Sequence, residues 1–330
     1  MERLSAEIDP YANDPGHWGA SLLTLAELIV PCLDAARARS VVEIGAYAGD
    51  LTSLLVDWAA AGGARVQAID PAPRRTLIEL AERRPELELI RETSHAALRR
   101  IAPPDAAIID GDHNYYTVRE ELRLIAEKAS GADLPLLIFH DVAWPHARRD
   151  DYYDPSLVPE EHRHPIAEGA GLFPGVAEVR PGGLPYRHAA RREGGAANGV
   201  LTAVEDFMAA HGSLTLALVP AFFGLGVVWH EDAAWAADVA QVLERWDRNP
   251  LLERLEANRV LHLASSHYHL VEATRARERA ARQEAVLRRL LESRAFAVAE
   301  RLSRLRMRAG VATDASVISK EEIRRALESR

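Results

Sequence analysis

Two apolar runs in this chain end in groups that could do acid–base or metal chemistry. Ala106-Ala107-Ile108-Ile109 leads into Asp110-Gly111-Asp112-His113-Asn114-Tyr115, and Leu136-Leu137-Ile138-Phe139 leads into His140-Asp141. A buried strand delivers such groups at its carboxyl end, where open α/β sheets bind ligands. If the two strands are neighbours, Asp110 and Asp141 face one another across a cleft. Paired acids repel unless a proton or a cation intervenes. Two carboxylates, waters and a bidentate substrate diol would make an octahedral Mg²⁺ site. A metal there acidifies a hydroxyl, and His113 could take its proton near neutral pH. Asp112 has two readings, a functional carboxylate or the cap of a helix over 115–129.

A second motif points to a cofactor. Ser40-Val41-Val42-Glu43-Ile44-Gly45-Ala46-Tyr47-Ala48-Gly49-Asp50 reads as a buried strand, a glycine turn and a helix start. Gly45 lets the backbone turn sharply and approach a ligand, and the helix over 50–61 aims its first amides at that ligand. Asp70 closes the next strand, Val66-Gln67-Ala68-Ile69, where it could accept hydrogen bonds from a ribose diol. A dinucleotide fingerprint needs three glycines as G-x-G-x-x-G. Glu43-x-Gly45-x-x-x-Gly49 lacks the middle one, so the spacing does not favour a pyrophosphate ligand.

The elements that must position these groups alternate. Strands are expected over 41–45, 65–69, 87–91, 106–110 and 134–139, with helices over 50–61, 73–83, 94–101 and 115–129 between them. A helix over 20–36 precedes them, behind an irregular arm. Repeated βα units imply a parallel sheet covered on both faces. Residues 143–199 break the rhythm, and their length suggests a lid or binding loop. Aromatic and histidine side chains in it (His146, His162, His164, His188), with His17-Trp18 of the arm, are candidate sugar contacts. A helix over 200–211 and strands over 214–219 and 224–229 follow.

From about 233 the chain turns helical over 233–246 and 250–308, rich in Ala, Arg, Glu and Leu. An apolar stripe and a locally basic face there suit a solvated face, a partner helix, an oligomerisation arm or a contact with an acidic surface. Ser319-Lys320-Glu321-Glu322 resembles a capping box. Three regions result: arm and helix 1–37, a ligand-binding domain 38–232 with insert 143–199, and a helical extension 233–330.

With 330 residues, 48% hydrophobic and 27% charged, the chain can bury a full α/β core. Its net charge of −9 disfavours nonspecific nucleic-acid binding. Cys32, the single cysteine, lies in a helical apolar pattern and reads as a packing residue. The absence of a basic-then-apolar leader and of a long apolar run makes a cytoplasmic protein the expectation.

The glycine motif with Asp70 resembles motif I of class I S-adenosylmethionine (SAM)-dependent methyltransferases. Asp110-Gly111-Asp112-His113-x-Tyr115 together with Phe139-His140-Asp141 resembles the metal-dependent O-methyltransferases of the macrocin/mycinamicin sugar type, over roughly residues 38–232. The resemblance implies a Rossmann-like, mostly parallel seven-stranded sheet with an antiparallel terminal hairpin, extended here by C-terminal helices. It implies SAM held by Glu43, Gly45, Ala46, Tyr47, Gly49, Asp70, Ser94 and Asp110, with Thr93-Ser94-His95 in the segment that contacts adenine. Ser94 could equally cap the helix after it. Metal ligands would be Asp110, His140 and Asp141, with His113 as base. His140 departs from the family, which usually has a carboxylate there; nitrogen suits a transition metal better than Mg²⁺, and a packed histidine is the alternative. The acceptor implied is a hydroxyl of a sugar, glycan precursor or glycosylated natural product.

Two other functions compete. Asp110-Gly111-Asp112 could be the D-x-D of a metal-dependent glycosyltransferase, which would respond to UDP-sugars rather than to S-adenosylhomocysteine (SAH). A noncatalytic assembly protein would act through its helical tail, would show no SAH binding, and would keep its partner when His113 is replaced. The C-terminal helices could also join a homo-oligomer.

Overall fold

The computed structural model describes residues 21–129, 131–309 and 319–328. His17 and Trp18, and the arm that carries them, lie outside these. The chain divides into two compact units, 1–267 and 268–330.

The first unit is built on a seven-stranded sheet. Its strands are β1 (Ser40–Ile44), β2 (Arg65–Ile69), β3 (Leu87–Ile90), β4 (Ala106–Ile109), β5 (Leu136–Phe139), β8 (Leu214–Val219) and β9 (Leu225–His230). Their order is β3-β2-β1-β4-β5-β9-β8. The first five are mutually parallel; β9 runs antiparallel to β5 and pairs with β8 as a terminal hairpin. This is the Rossmann-like methyltransferase arrangement that the resemblance implies. The central strands β4 and β5 are buried at every position, which is why they read as unbroken apolar runs.

Two apolar cores sandwich the sheet. Beneath one face pack α1 (Ala26–Ala35), α2 (Asp50–Gly62) and α7 (Ala236–Leu243), through residues such as Leu33, Leu55 and Val239. Against the other lie α4 (Ser94–Arg100), α5 (Tyr115–Ala126) and α6 (Val200–His211), through Leu98, Leu122 and Val204. Full burial of one such side chain contributes about 1.5–3 kcal/mol. Helix α3 (Arg75–Arg83) completes the β2–β3 crossover, with Leu77 fully buried. Cys32 is fully buried in α1, and burial pushes its thiol up to about 12.

Register sets the functional edge. Ile44 lies level with Ile69 and Ile109, and Ile109 with Phe139. The residues that follow, Gly45, Asp70, Asp110 and His140, therefore emerge side by side. Each is tied by its amide to the neighbouring strand: Gly45 to Ile69, Asp70 to Ile90, Asp110 to Ile44 and His140 to Ile109.

Several boundaries differ from the sequence pattern. The helix expected over 20–36 begins as a 3₁₀ turn, Leu22–Leu25, capped by the Ser21 hydroxyl. The insert contains the antiparallel ribbon β6 (Ile166–Leu172) and β7 (Leu184–Ala190), a regular pairing hidden by its glycines and prolines. Helix 250–308 is two helices, α8 (Pro250–Glu292) and α9 (Arg294–Arg308). Ser293 is extended (φ −68°, ψ 123°) and caps the second by accepting from the Phe296 amide. The first unit extends to 267, beyond the composition change at 233, because α7 and the start of α8 supply Val239, Leu243, Val260 and Ala264 as buried residues. In the second unit, α10 (Lys320–Glu328) opens with the Ser319–Glu322 capping box: Glu322 accepts from the Ser319 amide, and the Ser319 hydroxyl from the Glu322 amide. No described helix is long and apolar enough to cross a membrane.

Candidate active site

A cavity of about 700 Å³ opens along the carboxyl edge of the sheet. Its floor begins at the β1–α2 turn. Gly45 has φ +88°, and a Cβ on it would sit 2.1 Å from the carbonyl oxygen of Asp110. Only glycine allows the β1 turn and the β4 end to touch this way. Gly49, at φ +87°, precedes α2, and its own Cβ would press 3.3 Å from Leu77. Asp70 is buried and braces the turn: one carboxylate oxygen accepts from the Tyr47 amide and the other from the Ala72 amide, both at 2.7 Å. Each oxygen retains a lone pair for a ligand hydroxyl.

Gly45, Tyr47, Asp70, Ser94 and Asp110 all line the cavity; Glu43, Ala46 and Gly49 do not. Glu43 is buried behind the turn, accepting from the Thr52 hydroxyl at 2.6 Å. Burial pushes its carboxyl up to about 8, against that hydrogen bond. It is a neutral brace between β1 and α2 rather than a wall of the cavity. Ser94 is the first residue of α4; Thr93 occupies the cap position without a side-chain bond. The capping role considered for Ser94 is therefore corrected: its backbone is already helical.

The acid–imidazole cluster stands at the centre. His113 Nε2 lies 3.0 Å from Asp141 Oδ2 and 3.6 Å from Asp110 Oδ1. His140 Nδ1 lies 3.1 Å from Asp110 Oδ1 and 3.4 Å from Asp141 Oδ2. Burial opposes charge on both imidazoles, but Asp141 and Asp110 outweigh it, holding His113 up to about 10 and His140 up to about 9. Asp110 goes the other way: desolvation is outweighed by His140 and His113, and it falls to about 2.

The orientation of His140 tests whether a cation fits. Its Nε2 lies 2.8 Å from the Phe222 carbonyl oxygen, which can only accept, so Nε2 carries hydrogen. Nδ1 then turns a lone pair toward two carboxylates unless it is protonated. That arrangement needs a positive charge, either a proton or a metal ion ligated by Nδ1 with its outer nitrogen hydrogen-bonded. Asp110, His140 and Asp141 each offer one ligand atom, all within 4.8 Å of one another. The donor set fits a divalent cation.

The insert forms the outer wall through His146, Asp151, Tyr153, Leu157, Pro185 and Tyr186. Asp150 pins it to the β4–α5 edge, one oxygen accepting from the Tyr115 and Gly199 amides at 2.8 and 2.7 Å and the other from the Tyr152 hydroxyl. The cap of α5 is Asn114, whose side chain accepts from the Thr117 amide at 2.9 Å. Asp112, the capping alternative in the sequence, instead accepts from the Tyr153 amide at 2.9 Å and the Thr117 hydroxyl at 3.2 Å. It ties the insert to the start of α5. Of the insert histidines, His146 reaches the cavity; His162, His164 and His188 do not line it. His162 stacks on Tyr116, and the other two bond to backbone carbonyls.

Sequence reasoning missed Glu121, Asp151 and Phe223, all on the wall. Glu121 is buried and pushed up to about 8 by burial, with the Ser94 hydroxyl opposing. Its signal was available: a carboxyl sits in the apolar stripe Val118, Leu122, Ile125 of α5. Phe223 offered none, since its position depends on the β8–β9 turn.

Residues 42–142 match a family described as "Methyltransferase domain". The sheet order is that of a Rossmann-like methyltransferase fold, and the matched segment contains its glycine turn. No curated protein matches the chain. Among solved structures it is similar to the SAH-bound methyltransferase PaMTH1 of Podospora anserina, with 13% identity over 67% of this chain and 83% of that one (TM-score 0.40). It is also similar to an O-methyltransferase of Bacillus cereus in complex with SAH (15% identity, 64% and 79% covered, TM-score 0.35). A third is the 1,6-didemethyltoxoflavin-N1-methyltransferase of Burkholderia thailandensis (16% identity, 68% and 84% covered, TM-score 0.35).

Proposed function

We propose that this protein transfers a methyl group from SAM to a hydroxyl of a sugar, glycan precursor or glycosylated natural product, assisted by a divalent cation. The observation that carries this reading is that the Gly45–Asp70 end and the Asp110–His113–His140–Asp141 cluster share one cavity. One end suits a ribosyl cofactor, the other a hydroxyl that must lose its proton.

Asp70 receives the ribose hydroxyls, and Gly45 admits the cofactor close to the backbone. Asp110, His140 and Asp141 would hold the cation, which supplies positive charge that acidifies the acceptor hydroxyl and replaces the protons otherwise resident on the imidazoles. His113 accepts the hydroxyl proton while Asp141 orients its ring. The acceptor oxygen forms its bond to the methyl carbon as the sulfur–methyl bond breaks, and SAH leaves. Alignment of that in-line attack can supply roughly 7–11 kcal/mol in favourable cases.

A D-x-D glycosyltransferase needs Asp112 as well as Asp110 for its metal, and Asp112 is committed to Tyr153 and Thr117. Self-association through the C-terminal helices belongs to the same proposal, supported by exposed Leu302 and Leu305 on α9. Calorimetry with SAH and with a UDP-sugar tests the core of the reading: saturable SAH binding is expected, and UDP-sugar binding without SAH binding would refute it.

A further inference from the structure

Beside the central cluster lies a second group of ligating atoms. We propose that His113, His146 and Asp151 form a second cation site, selective for zinc-like transition ions, whose filling takes His113 out of proton transfer. One ligand atom from each residue lies within 4.8 Å of the other two. Two imidazoles and one carboxylate are a donor set for Zn²⁺, Co²⁺ or Fe²⁺, whereas Mg²⁺ prefers oxygen ligands.

Two orphaned polar atoms point to a missing ligand. His146 is 2% exposed and lines the cavity, yet its Nδ1 has no hydrogen-bond partner among the described residues. Asp151 Oδ1 is likewise buried without one. Leaving a buried polar atom unsatisfied costs about 1–3 kcal/mol, so two such atoms in one cluster need a compensating interaction.

The three side chains are held in place by contacts that need no ion. The Asp151 amide donates to the His113 carbonyl at 3.0 Å, so these two residues are paired through the backbone. The His146 ring stacks on His113 at 4.7 Å and meets Tyr186 edge-on at 4.9 Å. His146 and Asp151 come from the insert and His113 from the β4–α5 loop, so the site exists only where the insert closes on the sheet edge.

Ligation and proton acceptance compete for the same imidazole. The inhibitory consequence rests on the function proposed above; the binding site itself does not. Three protein ligands leave a position open toward the cavity, as in zinc sites that keep one exchangeable ligand.

The test is a Co²⁺ titration of the full, chelator-stripped chain in saturating Mg²⁺, read by visible d–d absorption and calorimetry. Wild type and Asp110→Asn should both show the tightly bound Co²⁺ spectrum. His146→Ala and Asp151→Asn should weaken that binding about a hundredfold, with circular dichroism confirming that both are folded. Equal Co²⁺ affinity in wild type and both folded variants would overturn the site, and would leave the methyl-transfer reading standing. Loss of Co²⁺ binding in both variants supports the site even if no methyl transfer is detected. Zn²⁺ that binds wild type without slowing its turnover would overturn the inhibitory role.

Discussion

Glu256 of α8 accepts the backbone amide of Phe223 at 2.8 Å, and its other oxygen accepts that of Phe222 at 3.1 Å. Phe222, Phe223 and Gly224 all have positive φ (51°, 69° and 94°), a costly run for two aromatic residues. Arg259 clamps the same carboxylate at 2.6–2.7 Å and lies over the Phe223 ring at 4.4 Å. The Phe222 carbonyl in turn fixes the His140 ring, and Phe223 walls the cavity. The start of the C-terminal helix thus positions a candidate metal ligand.

Glu256→Ala takes the acceptor from two amides and removes the carboxylate that pairs with Arg259. A loss of about 2–3 kcal/mol in urea unfolding is expected. Divalent-cation affinity should fall with it, while Glu256→Gln recovers part of both.

Gly45→Ala drives a methyl group into the Asp110 carbonyl at a backbone angle that L-residues avoid. At least about 3 kcal/mol of stability should be lost. Any folded fraction should fail to bind SAH by calorimetry.

Asp110→Asn removes one of the two charges that face His113 and His140. Methyl transfer should fall to background, a far larger effect than any loss of SAH affinity. Full activity of this variant, or full wild-type activity in EDTA, would refute the role of the cation.

Stability should depend on pH through Glu43. Its carboxyl is raised from 4.5 to about 8 by burial, so between those values the folded state binds more protons than the unfolded state. Stability is therefore greatest below about 4.5 in this contribution and falls as pH rises to about 8, by at most about 1.4 kcal/mol per pH unit. Glu43→Gln should flatten that slope in urea titrations run across the window; an unchanged slope would count against a buried neutral Glu43.

Much of the site was legible because its signals are local. Val41, Val42 and Ile44 before Gly45 announce a buried strand and a forced turn, and the runs before Asp110 and His140 announce strand ends. What the sequence could not reveal is contact made across distance. Asn114, directly before the helix, caps α5, while Asp112 reaches the Tyr153 amide of the insert, some forty residues away. Glu121 carried a readable signal, a carboxyl in an apolar stripe, but its place in the cavity follows only from helix packing.

By itself, then, the chain determined the order of strands and helices, the glycine turn, and which acids and imidazoles arrive at strand ends. These depend on backbone preference and on apolar periodicity, which act over a few residues. Tertiary structure decided the rest: the level register that brings Gly45, Asp70, Asp110 and His140 to one edge, the closing of His146 and Asp151 on His113, and the hold of Glu256 on Phe223. Those relationships join segments far apart in sequence. They form only when the two cores are buried, so no local pattern encodes them.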